Sequence, residues 1–219
     1  MPALLEIPIF PLPNVVLFPR TLLPLHIFEP RYRQMVRDVL DGSRQIGMVL
    51  AKSTRETDAS IAYEVHSVGG LGRISEVEEL DDGRYDIVLS GVSRFRILEF
   101  LEEVPYRRAR VELLEDPYRE QPEDHGLAAH IISGFRDYVG SEMLGAEEGE
   151  LLNKVDLVTL TNSVCSALQI SPLEKQALLE MDDVRTRAEA VLAVLAQLLA
   201  RKQFIDGFGH LRPEDPGRN

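Results

Sequence analysis

The spacing of hydrophobic residues changes close to residue 116, and this change divides the chain into two predicted parts. Before it, apolar residues alternate with polar ones or form short runs between turn residues, which indicates β-strands. After it, apolar residues recur every three or four positions, which indicates helices that pack along one face. We therefore expect an α+β protein in which strands precede helices.

The opening of the chain is rich in proline. Residues 7–36 hold six prolines among many apolar side chains. Each proline removes a backbone donor and fixes φ, so the stretch before Pro30 cannot be a regular helix. Because proline in a sheet is tolerated mainly at its edges, we expect short edge strands at residues 7–10 and 15–18.

A short amphipathic helix is predicted to begin at Pro30. Proline suits the first helical position, and Glu29 lies where a negative charge favours the helix dipole. Apolar residues from Met35 to Leu40 share one face, which we expect to pack on the sheet. Gly42 can adopt the left-handed conformation that ends many helices, so the helix is predicted to stop there.

Further strands complete the first part. The apolar run at residues 46–51 predicts a buried strand, and Asp82-Gly83 between two strand patterns predicts a β-hairpin. Gly91 and Ser93, inside the second strand of this hairpin, predict a bend or bulge. With a last strand at residues 108–114, the pattern predicts a partly closed β-barrel with one packed helix.

The second part is predicted to be a C-terminal α-helical bundle of about four helices. Residues 171–174, Ser-Pro-Leu-Glu, form a capping box with proline at the first helical position, and the last helix is predicted at residues 184–204. Helical spacing relates Leu127, Ile131, Phe135 and Tyr138, and likewise Leu151, Val155, Val158, Asn162, Cys165 and Leu168.

The chain length of 219 residues allows two domains. We expect a barrel domain at residues 1–116, a helical domain at 117–206 and a flexible tail at 207–219. A polar linker with two prolines joins the domains at residues 115–124, and we expect it to permit some relative motion.

Charge narrows the range of partners. The chain has 36 acidic and 24 basic residues, a net charge of −12, and both predicted parts are negative. Proteins that bind nucleic acids gather Lys and Arg against the phosphates, so we expect no nucleic-acid partner. The sequence has no apolar run of about 18 residues and no export signal, so we expect a cytoplasmic location and no membrane contact.

Motifs for catalysis and metal binding are missing from the sequence. It contains no His-Glu-x-x-His, no Gly-x-x-x-x-Gly-Lys-Ser/Thr and no Gly-x-Ser-x-Gly pattern, so we expect no metal and no cofactor. The acidic run at residues 76–82 is expected to be a solvated hairpin tip, and the glycines at 69–72 a strand turn or bulge. Cys165, the single cysteine, lies in an apolar helical pattern and is expected to be buried and inert.

Polar and aromatic residues gather where a strand is expected to pass into the first helix, next to the proline-rich surface. Aromatic side chains offer contact area and arginine binds carboxylates or carbonyls, which suits peptide recognition. Arg94 and Arg96, predicted on the outer face of the hairpin, have the same chemistry. The alternative is that such residues lock the helix and hairpin to the barrel. The candidate substrate-binding residues are Phe18, His26, Phe28, Arg31, Tyr32 and Arg94.

Four stretches carry a family resemblance: IPIFPLPNVVLFPRTLLPLHIFEPRYRQMV, GGLGRISEVEELDDGRYDIVLSGVSRFRI, VPYRRARVELLED and SPLEKQALLEMDDVRTRAEAVLAVLAQLL. They resemble the N-terminal substrate-binding domain of Lon proteases, particularly the stand-alone bacterial proteins that carry only that domain. The resemblance covers about residues 4–204. It departs at Arg20, which stands where many relatives have glycine.

The resemblance implies a PUA-like β-barrel followed by a helical bundle, and a role in recognising unfolded or tagged polypeptides. The ATPase and Ser-Lys protease parts of Lon have no counterpart in these residues, so we expect a non-enzymatic module that binds polypeptide segments. It would act alone or as an adaptor to a separate protease or chaperone in protein quality control.

Three alternatives stay open at the level of sequence. The first is an enzyme with His26 as a general base in a cleft. The second is a scaffold that forms a homodimer through its long C-terminal helix. The third is RNA binding, suggested only by PUA-like folds at large and opposed by the charge.

Overall fold

The computed structural model describes residues 4–57, 60–101, 105–116, 118–119, 121–140, 152 and 154–207. A mixed β-sheet precedes a set of helices, as the sequence predicts. The strands are β1 (Leu4–Leu12), β2 (Leu22–Ile27), β3 (Gln45–Thr57), β4 (Ser60–Val65), β5 (Val68–Glu79), β6 (Tyr85–Phe100) and β7 (Arg108–Leu114). The helices are α1 (Pro30–Leu40), α2 (Asp124–Val139), α3 (Leu157–Ala167), α4 (Pro172–Glu180) and α5 (Val184–Gly207).

Five strands pair into a closed ring. Their order is β1, β7, β6, β5 and β3, and β3 then pairs in parallel with β1, whereas the other pairs are antiparallel. β2 adds to β6, and β4 adds to β3. Apolar side chains from all five ring strands form one buried cluster: Ile7, Ile9, Val49, Leu71, Phe95, Ala109 and Val111.

β1 contains two prolines and still has a neighbour on each side. Residues 4–8 pair with β7, whereas residues 9–12 pair with β3. Backbone N–H groups alternate sides along a strand, and the Ile9 N–H donates to Arg107 on the β7 side. The Pro11 nitrogen therefore points to the β7 side, where the pairing with β7 has already ended. The Pro8 nitrogen points to the β3 side, where the pairing with β3 has not yet begun. Neither proline interrupts a backbone hydrogen bond of the sheet. The expected edge strand at residues 7–10 is wrong in this respect, because β1 is an internal strand.

Residues 15–18 do not form the expected strand. Leu17 and Phe18 are buried, and their carbonyl oxygens lie against Gly70 of β5 and Gly91 of β6. A Cβ atom at either glycine would overlap the adjacent carbonyl oxygen. The two glycines thus let this segment pass directly over the sheet, and the second strand begins only at Leu22.

Arg20 adopts a positive φ of 63°, a conformation that glycine reaches at lower cost. Its Nη1 atom lies 2.6 Å from Asp156 Oδ2 and 2.7 Å from Thr159 Oγ1, at the start of α3. Asp156 also accepts the Thr159 N–H and so caps that helix. The arginine at this position therefore connects the sheet to the helices, which a glycine could not do.

α1 begins at Pro30, as predicted, and buries Tyr32, Met35, Val36 and Val39 against the sheet. Its end differs from the prediction. Gly42 does not take a positive φ; instead Arg44 does, at 58°, and its N–H donates to the Val39 carbonyl at 2.8 Å. The chain therefore turns two residues later than the glycine suggested.

The hairpin of β5 and β6 is confirmed. Gly83 has a φ of 75° in the connecting turn, where Asp82 accepts the Arg84 N–H at 3.1 Å. Leu71 pairs with Ser93, whereas Gly72 pairs with Gly91, so one extra residue of β6 lies between these pairs. This register shift is the predicted bulge.

Four helices follow in the described part of the C-terminal half, as the spacing predicts. The Ser171 capping box is present with both of its hydrogen bonds, which contribute about 1 kcal/mol. α5 starts at Val184 as predicted, and α3 starts at Leu157, later than its apolar pattern suggested. Leu151 and the tail beyond residue 207 lie outside the described residues.

The sheet and the helices share a core. Phe18 and Val68 from the strand part pack in the same buried cluster as the apolar residues of α2 to α5. Gln176 of α4, which is 1% exposed, donates its Nε2 hydrogen to the Val68 carbonyl at 2.9 Å. Within the described ranges, no helix combines the length and the apolar character needed to cross a bilayer.

Candidate functional site

β2 exposes an apolar face next to the hairpin. Side chains alternate along a strand, and those of Leu23, Leu25 and Ile27 turn towards the core. The side chains on the other side are exposed: Leu22 is 67% exposed, and Phe28 directly after the strand is 61% exposed. We name the exposed set of Leu22, Pro24, His26 and Phe28 the β2 face.

A depression of about 520 Å³ adjoins the β2 face. The register explains its composition, because β6 lies between β2 and β5. Pro24 pairs with Val88, which pairs with Glu76, and His26 pairs with Asp86, which pairs with Glu78. The lining of the depression therefore includes apolar side chains, acidic side chains and one imidazole: Pro24, Val88, Asp86, Glu76, Glu78 and His26.

His26 has a partner on each ring nitrogen. Nδ1 lies 2.6 Å from Asp86 Oδ1, and Nε2 lies 3.1 Å from Arg84 Nη1. Arginine can only donate, so Nε2 accepts from Arg84, and Nδ1 carries the proton that is donated to Asp86. Arg84 is itself held by Asp82, whose pKa is lowered by the Arg84 backbone N–H and side chain.

This arrangement bears on the enzyme alternative. His26 is not packed into an apolar core, and its depression has polar walls, so the surroundings of a cleft site are partly present. However, the Nε2 lone pair that a general base would use already accepts from Arg84. The described residues also contain no group of three or more His, Cys, Asp or Glu side chains able to hold a metal ion.

Phe28, Arg31 and Tyr32 continue from the β2 face onto α1. The Phe28 ring stacks with His26 at 6.3 Å between centroids. The Arg31 guanidinium lies 4.6 Å from the centre of the Tyr32 ring and pairs with Glu29 at 3.0 Å. Tyr32 is buried against Phe10, so of this group Phe28 and the half-buried Arg31 reach the surface.

The remaining two sequence candidates lie elsewhere. Phe18 is fully buried in the core that the sheet shares with the helices. Arg94 was expected on an exposed outer face, and this expectation is wrong because the helices cover that part of the hairpin. Arg94 is fully buried and donates to the Leu179 carbonyl at 3.0 Å and to Asp116 at 2.7 Å.

Sequence reasoning missed several residues that form the face. Leu22 and Pro24 were not assigned to a strand, since prolines obscured the alternation of residues 22–28. That alternation was the available signal. Glu76 and Glu78 are solvated, as expected, but their position beside His26 follows only from the pairing of β5 with β6 and of β6 with β2.

Solved structures share this arrangement of strands and helices. The Lon N-terminal domain protein from Xanthomonas campestris matches 86% of this chain and 98% of its own length, with a TM-score of 0.61 and 26% identity. The N-terminal domain of the Mycobacterium avium complex Lon protease matches 89% of this chain and 98% of its own length, with a TM-score of 0.65. At 21% identity the second match concerns the fold alone. The chain thus has the fold of a Lon N-terminal domain.

Sequence relatives agree with the fold. Residues 6–197 match the family described as the ATP-dependent protease La (LON) substrate-binding domain, and the chain belongs to this family. Lon protease 2 of Sorangium cellulosum is 31% identical over 199 residues, which are 89% of this chain and 25% of that protein. The Lon protease of Escherichia coli K12 is 27% identical over 87% of this chain. The chain spans about a quarter of the length of these curated relatives.

Proposed function

We propose that the protein is a binding module that recognises unfolded or tagged polypeptide segments through the β2 face. The family match supports this proposal, because the matched part of the Lon relatives is described as substrate-binding and a protease acts on polypeptides. The proposal concerns binding alone.

The observation that carries the proposal is the exposure of three apolar side chains, Leu22 and Pro24 on β2 and Phe28 directly after it. Exposed apolar residues of this size, gathered beside a depression, are typical of interaction sites. Of the ten large hydrophobic side chains exposed in the described part of the chain, seven belong to the strand half, and three of these, Leu22, Phe28 and Val77, line the β2 face or its depression. This distribution favours client binding over a scaffold that associates through its helices.

The six sequence candidates divide between contact and support in this proposal. His26, Phe28 and Arg31 reach the surface and would touch the client. Tyr32 packs in the apolar cluster beneath β2, and Phe18 is buried in the core that the sheet shares with the helices, so their role would be to hold the face in place. Arg94 would act at a distance, by fixing the hairpin to the helices.

The cellular role we propose is that of an adaptor, which passes bound clients to a separate protease or chaperone in protein quality control. The acidic charge of the chain favours solubility while it carries an apolar client. This role depends on the binding activity and is tested only after it.

Binding of a permanently unfolded protein to the full chain tests the proposal. The probe is a fluorescently labelled, reduced and alkylated protein, followed by fluorescence anisotropy, with the native form of the same protein as its control. The test variant is Leu22→Ser/Phe28→Ser, and the matched control is Leu173→Ser/Phe204→Ser. The four side chains are 67%, 61%, 65% and 66% exposed, respectively, so both variants remove equivalent apolar surface.

We expect the unfolded probe alone to bind, and the β2 variant to weaken its binding at least about tenfold, since burying a Leu or Phe side chain contributes roughly 1.5–3 kcal/mol. The control variant should bind like the wild type. Equal loss in both variants, or no binding of the unfolded probe at all, would contradict the proposal.

A further inference from the structure

We propose that the β2 face selects client segments in which Lys or Arg stands next to apolar residues. This inference rests on the proposed function and specifies the chemistry of the client. It follows from the charges that line the depression beside the apolar row.

Two carboxylates of the depression are available for a ligand. Asp86 is engaged by His26, at 2.6 Å. The side chains of Glu76 and Glu78 are exposed on β5, and neither carboxylate forms a hydrogen bond or ion pair with any residue that the structure describes. Unpaired carboxylates beside exposed apolar side chains are complementary to a cationic residue in an apolar segment.

The basic residues nearby do not cancel this charge. Arg84 is occupied by Asp82 at 2.6 Å and by His26 at 3.1 Å. Arg73 is also exposed. It pairs with Ser90, which pairs with Leu22, whereas Glu76 pairs with Val88, two residues away along β6. On the exposed side of the three strands themselves, Asp86, Glu76 and Glu78 outnumber Arg73, so this surface is acidic.

The spacing of the strands sets the required pattern in the client. β5 and β2 are neighbours of the same strand, so they lie about 10 Å apart. A client that covers Leu22 and Phe28 would place a long basic side chain across Val88 towards Glu76 or Glu78. Lys and Arg suit this path, since their aliphatic stems pack on apolar surface while the charged end stays in water.

Three labelled peptides of the same length and apolar composition test the inference. They differ in one central position, which is Lys, Gln or Glu, and their Kd values for the full chain are measured by anisotropy at about 50 and about 300 mM salt. The variant is Glu76→Gln/Glu78→Gln. The matched control is Glu115→Gln/Glu189→Gln, which removes the same charge at two exposed positions away from the depression.

We expect the wild type to bind the Lys peptide roughly two- to fivefold more tightly than the Gln peptide at low salt, and the Glu peptide more weakly still. High salt and the Glu76/Glu78 variant should both remove most of this difference, whereas the control variant should keep it. Loss of the preference in the control variant as well would assign it to overall charge and overturn the inference.

The remaining outcomes separate this inference from the proposed function. If all three peptides bind equally and the Leu22→Ser/Phe28→Ser variant abolishes binding, the face binds polypeptides without charge selection, and only the inference fails. If none of the peptides binds and the unfolded protein probe does not bind either, the proposed function fails with it.

Discussion

Arg94 and Asp116 form a buried ion pair at the junction of the strands and the helices. Arg94 donates from both Nε and Nη2 to Oδ1 of Asp116, at 3.1 and 2.7 Å. Arg187 of α5 donates to the same oxygen at 3.1 Å, and both arginines are fully buried. One carboxylate at the end of the strand half thus compensates two buried cations, one from each half of the chain.

The replacement Asp116→Asn tests this junction. It removes the carboxylate that Arg187 contacts and leaves Arg94 with the exposed Asp182 as its acidic partner, so we expect the free energy of unfolding to fall by about 3 kcal/mol or more. Asp182→Asn is the matched control, because Asp182 also accepts from Arg94 but is 71% exposed, and its loss should cost at most about 1 kcal/mol. Urea denaturation measures both, and equal effects would contradict the account.

The close passage of residues 17–20 over the sheet predicts a cost for any side chain at Gly91. A Cβ there would overlap the Phe18 carbonyl, so Gly91→Ala should destabilise the protein by about 1–3 kcal/mol. Gly134 lies inside α2 with only ordinary contact to Leu195, so Gly134→Ala should instead stabilise by about 0.5–1 kcal/mol. The melting temperatures of the two variants test this difference. A shift of the same sign in both would refute the explanation that Gly91 is required by the close Phe18 carbonyl.

The surroundings of Asp124 predict that part of the protein's stability is lost at acidic pH. Hydrogen bonds from the Tyr118 hydroxyl, the Gln121 N–H and Arg185 hold the pKa of this buried carboxyl below its ordinary value of 3.8. A lowered folded-state pKa means that the stabilisation is complete above the ordinary value and disappears as the pH falls through the folded value.

Asp124→Asn should therefore be less stable than the wild type near neutral pH, and the difference should shrink below about pH 4. Melting temperatures between about pH 7 and pH 3 measure this convergence. Asp41→Asn, at an exposed position, serves as the control and should stay parallel to the wild type. A difference for Asp124→Asn that is independent of pH would show that the carboxylate charge plays no part.

Cys165 should be unreactive in the folded protein. Burial in the core of the helices raises the pKa of its thiol to about 12, and the thiolate is the form that reacts. A disulfide reagent at about pH 8 should not modify the native chain, but should modify it fully in concentrated guanidinium chloride. Since this is the single cysteine of the chain, rapid modification under native conditions would place it at an accessible position.

Local signals in the sequence were sufficient for much of the fold. The Asp82-Gly83 turn, the Pro30 helix start and the Ser171 capping box each depend on a few adjacent residues, and each is present as predicted. The strand at Val15–Phe18 was predicted wrongly, because its path depends on contacts with Gly70 and Gly91, which are distant in sequence. Long-range pairing of this kind leaves no trace in local periodicity.

The sequence predicted only part of the candidate site, because the rest of the site also depends on contacts between residues that are distant in sequence. His26 and Phe28 were found from their chemistry, and both lie on the exposed face. Arg94 was placed outside because strand alternation was the only guide, and alternation says nothing of the helices that later cover the strand. The domain boundary near residue 116 stays a prediction, as does the direct contact of any residue with a client.

Site-specific photo-crosslinking tests directly whether an unfolded polypeptide contacts the β2 face. A photo-reactive amino acid is introduced in place of Leu22 in one variant and Leu173 in another, two leucines of nearly equal exposure on opposite halves of the chain. Each variant is irradiated with the labelled unfolded protein and with its native form. Recognition through the β2 face predicts a crosslinked product at position 22 with the unfolded form, little at position 173, and little with native protein. Equal crosslinking at both positions, or crosslinking at 173 alone, would contradict recognition through the β2 face.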